Sequence, residues 1–507
     1  MTMSKIRGMH GLLATSLGVT CAAALTLPLA PPATATPQPP APVAEAATAA
    51  GAARPDPPRA PGAPPRAAAP ELPGSTQSLP LAPLARDRAL GDAGDQGLPR
   101  RDVRHFSLLG VVWDDPGAPL HGRVQVRTRA AGTHAWSGWQ DLETHNDDHG
   151  ADPGTPERTS GHVRAGTAPL WVGDSDGVEV RVHGEDTGRH GSDRQGTDRH
   201  GRAGVTRAAH TTPQAPAAVL PRGLRLELID PGADDTRAAH LSAEAAGTRE
   251  VRRAALDTEA RAASAANADL APVGALEIPA LDRAQTRSEL LSLRSGKLTA
   301  AQKAKPYIGP RPRIVTRRGW GADEKLREKS FVYTSKVKAA FVHHTASGNT
   351  YKCSQAPSLI RGIYRYHVKS MGWRDIGYNF VVDKCGTIYE GRAGGVAKAV
   401  LGAHTLGFNT NSMGIAVIGT FGSTKPPAAA VTAIARLTAW KLGLYGGNPK
   451  GKTYLKSGGG NLYRKGKNVR LNVISGHRDG FATECPGRQL YGKLGTARSS
   501  AARLQGR

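Results

Sequence analysis

Residues 36–100 constrain this chain more than any other stretch. Runs such as Pro39-Pro40-Ala41-Pro42 and Pro64-Pro65-Arg66-Ala67-Ala68-Ala69-Pro70 offer almost nothing large and apolar to bury. A chain interrupted in this way cannot close around a single core. Its 507 residues include 61 Gly and 37 Pro, and only 5% are aromatic, so the expectation is two folded units joined by long disordered linkers.

Ahead of this tract, Lys5 and Arg7 precede an apolar run over residues 11–30, and Ala33-Thr34-Ala35 supplies small residues for cleavage. Residues 1–35 therefore read as an export signal. A membrane anchor is the other reading, and Pro28, Pro31 and Pro32 argue against a long spanning helix. No later segment is apolar enough to span a bilayer. The mature chain is expected to be secreted, extracellular or wall-associated, without a transmembrane span.

Residues 101–232 alternate with period two at Val124-Gln125-Val126-Arg127, Val178-Glu179-Val180-Arg181-Val182 and Leu224-Arg225-Leu226-Glu227-Leu228, the signature of half-buried strands. An all-β, sandwich-like domain follows, with Trp113, Trp136, Trp139 and Trp171 as core or edge anchors. Carbohydrate binding is an alternative use for these tryptophans. A disordered insertion is expected near 184–216, where His190, His200 and His210 sit among Gly, Arg and Asp without a close-set ligand pair. Residues 233–305 return to Ala, Arg, Asp and Glu and read as a second linker, with a solvated helix around 238–266.

Residues 306–507 mix both periods. Ala339-Ala340-Phe341-Val342 reads as a strand that delivers His343, and Leu359, Ile360, Ile363, Tyr364 and His367 recur at helical spacing. A hairpin turns at Asp383-Lys384-Cys385-Gly386, a buried strand covers residues 414–419, and Ala430, Ile434, Leu437 and Trp440 mark another helix. Strand Leu471-Asn472-Val473-Ile474 leads to His477. The fold class is α/β (α+β), with a central mixed sheet flanked by helices. Residues 301–507 carry 35 Lys+Arg against 8 Asp+Glu, a net +27, so the remaining 300 residues carry −2 of the total +25. Such a field suits an anionic wall polymer, though a generally basic surface explains it equally. No nucleic-acid-reading motif is present.

His343, His477 and Cys485 offer two imidazoles and a thiolate, a donor set suited to Zn²⁺ that leaves a fourth tetrahedral position for water. That is the layout of a catalytic site and points to a hydrolase. Once Cys21 departs with the signal, three cysteines remain. With Cys485 on zinc, Cys353 and Cys385 are left to pair; the competing arithmetic puts Cys485 in a disulfide and removes the metal site.

Arg317-Arg318-Gly319-Trp320-Gly321, Val342-His343-His344-Thr345, Gly372-Trp373-Arg374-Asp375-Ile376-Gly377-Tyr378-Asn379-Phe380, Tyr389-Glu390-Gly391-Arg392, Gly402-Ala403-His404, Gly476-His477-Arg478-Asp479 and Cys485-Pro486-Gly487 together resemble the peptidoglycan recognition protein family of N-acetylmuramoyl-L-alanine amidases over roughly residues 312–495. The resemblance implies zinc on His343, His477 and Cys485, with Tyr378 and Thr483 as catalytic residues beside the metal-bound water. The Tyr378 hydroxyl can orient that water or donate to the developing oxyanion, and the Thr483 hydroxyl can bond the tetrahedral intermediate; a core aromatic and a local turn bond are the respective alternatives. His344 would face the other way. His404, His367 and Asn409 match positions around the family's substrate groove, with core or turn roles as the alternative. Gly372, Trp373 and Arg392 match members that prefer diaminopimelate stems, whose extra carboxylate an Arg can grip in a fork; pairing of Arg392 with Glu390 or Asp383 is the competing reading. Asp479 is expected to pair with Arg478 or Arg488. The implied activity is hydrolysis of the bond between the muramic acid lactyl group and L-alanine of peptidoglycan. A non-catalytic receptor of the same fold is the alternative, but such receptors commonly lack the cysteine. A zinc endopeptidase would want a His-Glu-x-x-His motif, which is missing. Every one of these candidates lies after residue 305, so the β domain is expected to contribute none.

Overall fold

In the computed structural model the described residues are 74–84, 95–144, 149–184, 220–232 and 256–507. The expected signal, most of the first linker and most of the insertion near 184–216 lie outside them.

The N-terminal domain is all β. Its strands are β1 (Ser75–Pro80), β2 (Ala82–Pro83), β3 (Gln96–Trp113), β4 (Gly122–Ala130), β5 (Gln140–Leu142), β6 (Ala165–Gly166), β7 (Leu170–Gly184) and β8 (Arg225–Asp230). They form one connected sheet in the order β1-β8-β3-β7-β4-β5, with β2 and β6 also paired to β3. The alternation read in β4 and β7 puts Val124, Val126, Val178, Val180 and Val182 in the core. Trp113 is buried there too, its indole donating to the Ala118 carbonyl at 2.7 Å. Trp136 and Trp139 instead lie half-buried under arginines, with Arg127 4.8 Å and Arg181 4.1 Å from the Trp139 ring centroid.

Two expectations about linkers need correcting. The first was to run to residue 100, yet β1 pairs antiparallel with β8 from Ser75↔Asp230 to Pro80↔Arg225. An edge strand is held by its backbone on one side only, so a Pro- and Ser-containing segment can serve there without an apolar face of its own. The second was to fill 233–305, yet residues 256–305 hold helices α1 (Thr258–Ala265), α2 (Arg283–Arg294) and α3 (Ala300–Ala304) and strand β9 (Glu277–Ile278). Helix α1 is capped by Asp257, and α2 by a capping box of Asp282 and Gln285. Their periodicity is weak because each shows the domain only a narrow face: Ala263 in α1, Thr286 and Leu290 in α2.

The C-terminal domain is built on a seven-stranded mixed sheet. Strands β10 (Ile314–Val315), β11 (Ala339–His344), β12 (Phe380–Val382), β13 (Ile388–Glu390) and β14 (Ser412–Val417) join β9 and β17 (Ile474–Gly476) in the order β17-β11-β14-β12-β13-β10-β9. A two-stranded ribbon, β15 (Lys452–Lys456) and β16 (Asn468–Asn472), stands apart from it. The centre, β17-β11-β14-β12, is parallel. Its strands are apolar on both faces because helices cover them. Helix α4 (Ala356–Arg365) packs on one face; α5 (Ala428–Gly443), followed by the short α6 (Arg488–Tyr491) and α7 (Leu494–Gln505), lies with the other. A disulfide between Cys353 and Cys385 ties the start of α4 to the β12–β13 turn.

The two domains share a core. Leu108, Val112, Ala151, Val163, Trp171 and Ile229 from the β domain pack with Trp320, Ile360, Ile363, Tyr364 and Tyr366. Polar seams close its edge: the Tyr366 hydroxyl donates to the Thr167 carbonyl at 3.0 Å, and Ser370 to Glu227 at 2.9 Å. Burial of this apolar surface is what holds the β domain against α4.

Candidate metal centre

Parallel strands end together, and that is how the chain gathers its candidate ligands. His343 sits near the end of β11, beside β17, whose last residue precedes His477. Cys485 is brought back by the turn after His477, where the Arg478 N–H donates to the Cys485 carbonyl at 3.1 Å. Nδ1 of His343 lies 3.1 Å from Nδ1 of His477 and 3.8 Å from Sγ of Cys485. Ligand atoms held about 2.0–2.3 Å from one tetrahedral ion stand roughly 3.3–3.7 Å apart, so the residues fit a zinc ion. All three side chains are buried, and Cys485 is outside the disulfide.

His404 sets the imidazole of His343. Nε2 of His343 lies 3.2 Å from Nδ1 of His404, whose Nε2 lies 3.3 Å from the Ser412 hydroxyl, which in turn donates to the Phe408 carbonyl at 2.5 Å. With Nδ1 of His343 turned to the cluster, the proton belongs on Nε2, and this chain of acceptors keeps it there. Burial, reinforced by the neighbouring His477, pushes the His343 pKa well down, so the ring stays neutral and able to ligate. His404 was expected at the substrate groove; in the structure it is fully buried beside Nε2 of His343, on the side of that ring away from the cluster.

Tyr378 lies beside the cluster, with its ring centroid 5.6 Å from that of His343. Thr483 is half-buried, and its hydroxyl accepts from the Cys485 N–H at 3.1 Å, a local turn bond. His344 faces away as alternation requires, its Nδ1 accepting from the Phe421 N–H at 3.2 Å. His367 stacks on Trp373 at 4.4 Å and accepts from the Gly377 N–H at 3.3 Å. Asp479 pairs with neither arginine expected for it: it accepts from the Gly476 N–H at 2.9 Å and the Tyr491 hydroxyl at 2.6 Å, while Arg478 pairs with Glu484.

The β domain does reach this site, contrary to expectation. His149 joins His343, His477 and Cys485 in a group whose ligand atoms all lie within 4.8 Å of one another. Its ring centroid is 4.6 Å from that of His477 and 5.2 Å from that of His343. Arg392 grips a carboxylate in a fork, but the carboxylate is that of Glu157, at 2.8 and 2.9 Å, and not Glu390 or Asp383. Burial raises the Glu157 pKa, the Arg392 guanidinium lowers it, and the net direction is down. Asn409 donates to the Gly150 carbonyl at 2.8 Å and to Asp152 at 2.7 Å, and its own carbonyl oxygen accepts from the N–H groups of His404 and Thr405. Gly372 has φ +72°, and a Cβ there would stand 2.1 Å from the His162 carbonyl oxygen. His149, Asp152 and Glu157 carried no local signal: each is a polar residue in a loop, and its partner is known only once the domains are packed.

A model of N-acetylmuramoyl-L-alanine amidase domains matches residues 333–488, and one described as Rv3811 N-terminal galactose-binding domain-like matches residues 64–217. The chain is similar to peptidoglycan-recognition protein 1 of Holotrichia diomphalia, with 32% identity over 184 residues, 36% of this chain and 79% of that protein. It is 28% identical to peptidoglycan-recognition protein SC2 of Drosophila simulans over 183 residues, 36% of this chain and 85% of that one. The N-acetylmuramoyl-L-alanine amidase of Homo sapiens is 30% identical over 187 residues, which are 36% of this chain and 28% of the human protein.

Proposed function

We propose that this chain, which belongs to the peptidoglycan-recognition protein and N-acetylmuramoyl-L-alanine amidase family, is a secreted zinc amidase that cuts the bond between the muramic acid lactyl group and L-alanine, with diaminopimelate-type stems preferred. The observation that carries this reading is the convergence of His343 Nδ1, His477 Nδ1 and Cys485 Sγ at separations suited to one ion. Bound there, zinc would polarise the scissile carbonyl and bring the pKa of a water toward neutrality.

The chain's own residues supply the rest. The Tyr378 hydroxyl, on a ring 5.6 Å from that of His343, donates to the carbonyl oxygen as negative charge develops on it. The Thr483 hydroxyl does the same with the proton its turn bond leaves unused. One such donor is worth about 3–4 kcal/mol of barrier. His404 and Ser412 hold the His343 tautomer. Arg392 is the reader of the stem carboxylate, since its guanidinium already takes a carboxylate in fork geometry.

Attachment to the wall is assigned to the β15–β16 ribbon. Lys450, Lys452, Lys456, Arg464, Lys465, Lys467 and Arg470 are all exposed there, with no acidic residue between 448 and 472, which suits an anionic polymer. Export rests on residues 1–35; among the described residues no helix is long and apolar enough to cross a membrane.

Incubation with soluble muropeptides, followed by mass spectrometry, tests the activity. The expected products are a stem peptide with a free L-alanine amine and a sugar with a free lactyl carboxylate. Undiminished release by metal-free protein would refute the zinc mechanism.

A further inference from the structure

Residues 149–164 pack against the residues that the amidase reading assigns to metal and substrate. Their contacts are polar and specific at both ends. At one end His149 brings a third imidazole to His343, His477 and Cys485. At the other, Glu157 fills the fork of Arg392 and also accepts from the Arg374 N–H at 3.3 Å. Between them Gly150 and Asp152 occupy Asn409, and Asp152 takes the Gly407 N–H at 2.8 Å. Beyond them the His162 carbonyl covers Gly372, and the Arg164 N–H donates to the Met371 carbonyl at 3.0 Å. His149 is 7% and Glu157 6% exposed, so neither contact is incidental to a surface loop. A zinc site with three protein ligands keeps a position for water or substrate; a fourth protein ligand closes it.

We propose that residues 149–164 are an intramolecular occupant of the active-site groove, with His149 as fourth ligand to the metal and Glu157 in the place of the substrate's carboxylate. The full chain is therefore latent until this segment withdraws. The inference rests on the amidase reading for what the groove binds. The segment follows β5 in the chain, and its last residue adjoins β6 of the N-terminal sheet. A diaminopimelate stem would present Arg392 with the same group as Glu157 and would compete for it. If the groove is open only ~1–10% of the time, apparent substrate affinity falls ~10–100-fold below its intrinsic value.

The test uses the full chain as wild type, His149→Ala, Glu157→Gln and the double variant, each first compared by circular dichroism. Cobalt(II) replaces zinc as a visible reporter, and azide is titrated as an exogenous ligand. Azide should shift the spectrum of His149→Ala but not of the wild type. The His149→Ala site should also release zinc to a chelator at least ~10-fold more readily, the lower end of what losing even an outer-shell partner costs. Initial rates on a soluble diaminopimelate muropeptide should rise ~10-fold or more in Glu157→Gln, which leaves every metal ligand in place. A wild-type cobalt site that takes azide as readily as His149→Ala, together with equal muropeptide rates in all four proteins, would overturn the occupant while leaving the amidase intact. Azide access gained in His149→Ala with no cleavage by any of the four would uphold the occupant and refute the amidase.

Discussion

Arg317→Met should cost the protein about 3–5 kcal/mol, the range for removing one partner from a buried ion pair. Arg317 is 2% exposed, and its guanidinium donates to Glu324 at 2.7 Å, to Asp375 at 3.0 Å and to the Gly391 carbonyl at 2.6 Å. It also lies 4.9 Å from the Tyr364 ring centroid and 5.3 Å from that of Trp320. Two charge-assisted bonds at about 1.5–3 kcal/mol each and a stranded carbonyl would together exceed that range. The loss is reduced because Glu324 keeps Arg327 at 2.6 Å and Asp375 keeps the N–H groups of Ile376 and Ala393 at 2.7 and 2.9 Å. Methionine fills most of the volume, so the cost is electrostatic rather than a cavity. Equilibrium urea unfolding of the full chain measures it, and a double-mutant cycle with Asp375→Asn isolates the pair. Activity on muropeptides should fall with stability, because Gly391 and Asp375 fix the turn in which the Arg392 N–H meets the Tyr378 carbonyl at 2.8 Å. A loss under about 1 kcal/mol with an unchanged m-value would show that Arg317 does not hold this turn.

Cys485→Ala and His343→Ala should each abolish hydrolysis and, in a His149→Ala background that leaves two ligands, the rise in melting temperature on adding zinc, about 2.7 kcal/mol of stabilisation at a hundredfold excess over Kd; scanning fluorimetry with and without chelator reads this, and a zinc-independent wild-type melt would contradict it. Burial pushes the Glu390 carboxyl up to about 7, against the hydrogen bonds from Asn267 and the Arg317 N–H. Below about pH 4.3 both folded and unfolded chains hold this proton; above it the unfolded chain ionises first, so stability falls by on the order of 3 kcal/mol until the folded pKa is passed. Urea midpoints between pH 4 and 8 should show that decline in the wild type and a flatter line in Glu390→Gln, and identical slopes would refute it. In a Glu157→Gln background, diaminopimelate muropeptides should be cut roughly ten- to hundredfold faster than lysine ones, with Arg392→Ala closing the gap; equal rates before that second change would show that Arg392 does not read the stem.

His343, His477 and Cys485, which the structure brings together, could be picked out in the sequence because donor chemistry belongs to the residue type and each sits in a short local motif. Period-two alternation placed β4, β7 and β8 for a similar reason: a strand's facing is set by its own neighbours. The sequence also left Cys353 and Cys385 free to pair once Cys485 was given to the metal. The role of the Arg-Arg-Gly-Trp-Gly segment was not legible, since Arg317 acts through Glu324, Asp375 and Gly391, which only packing brings together. The helices at 256–305 were read as linker because marginal periodicity becomes decisive only against a partner surface. Glu157 lies 235 residues from Arg392 in the chain. No composition, spacing or motif connects them, for local pattern reports the face a residue presents and not what meets it. The contact that puts His149 and Glu157 in the groove was decided by the shared core of the two domains, where burial of Leu108, Trp171, Ile363 and Tyr366 sets which loop faces which cleft.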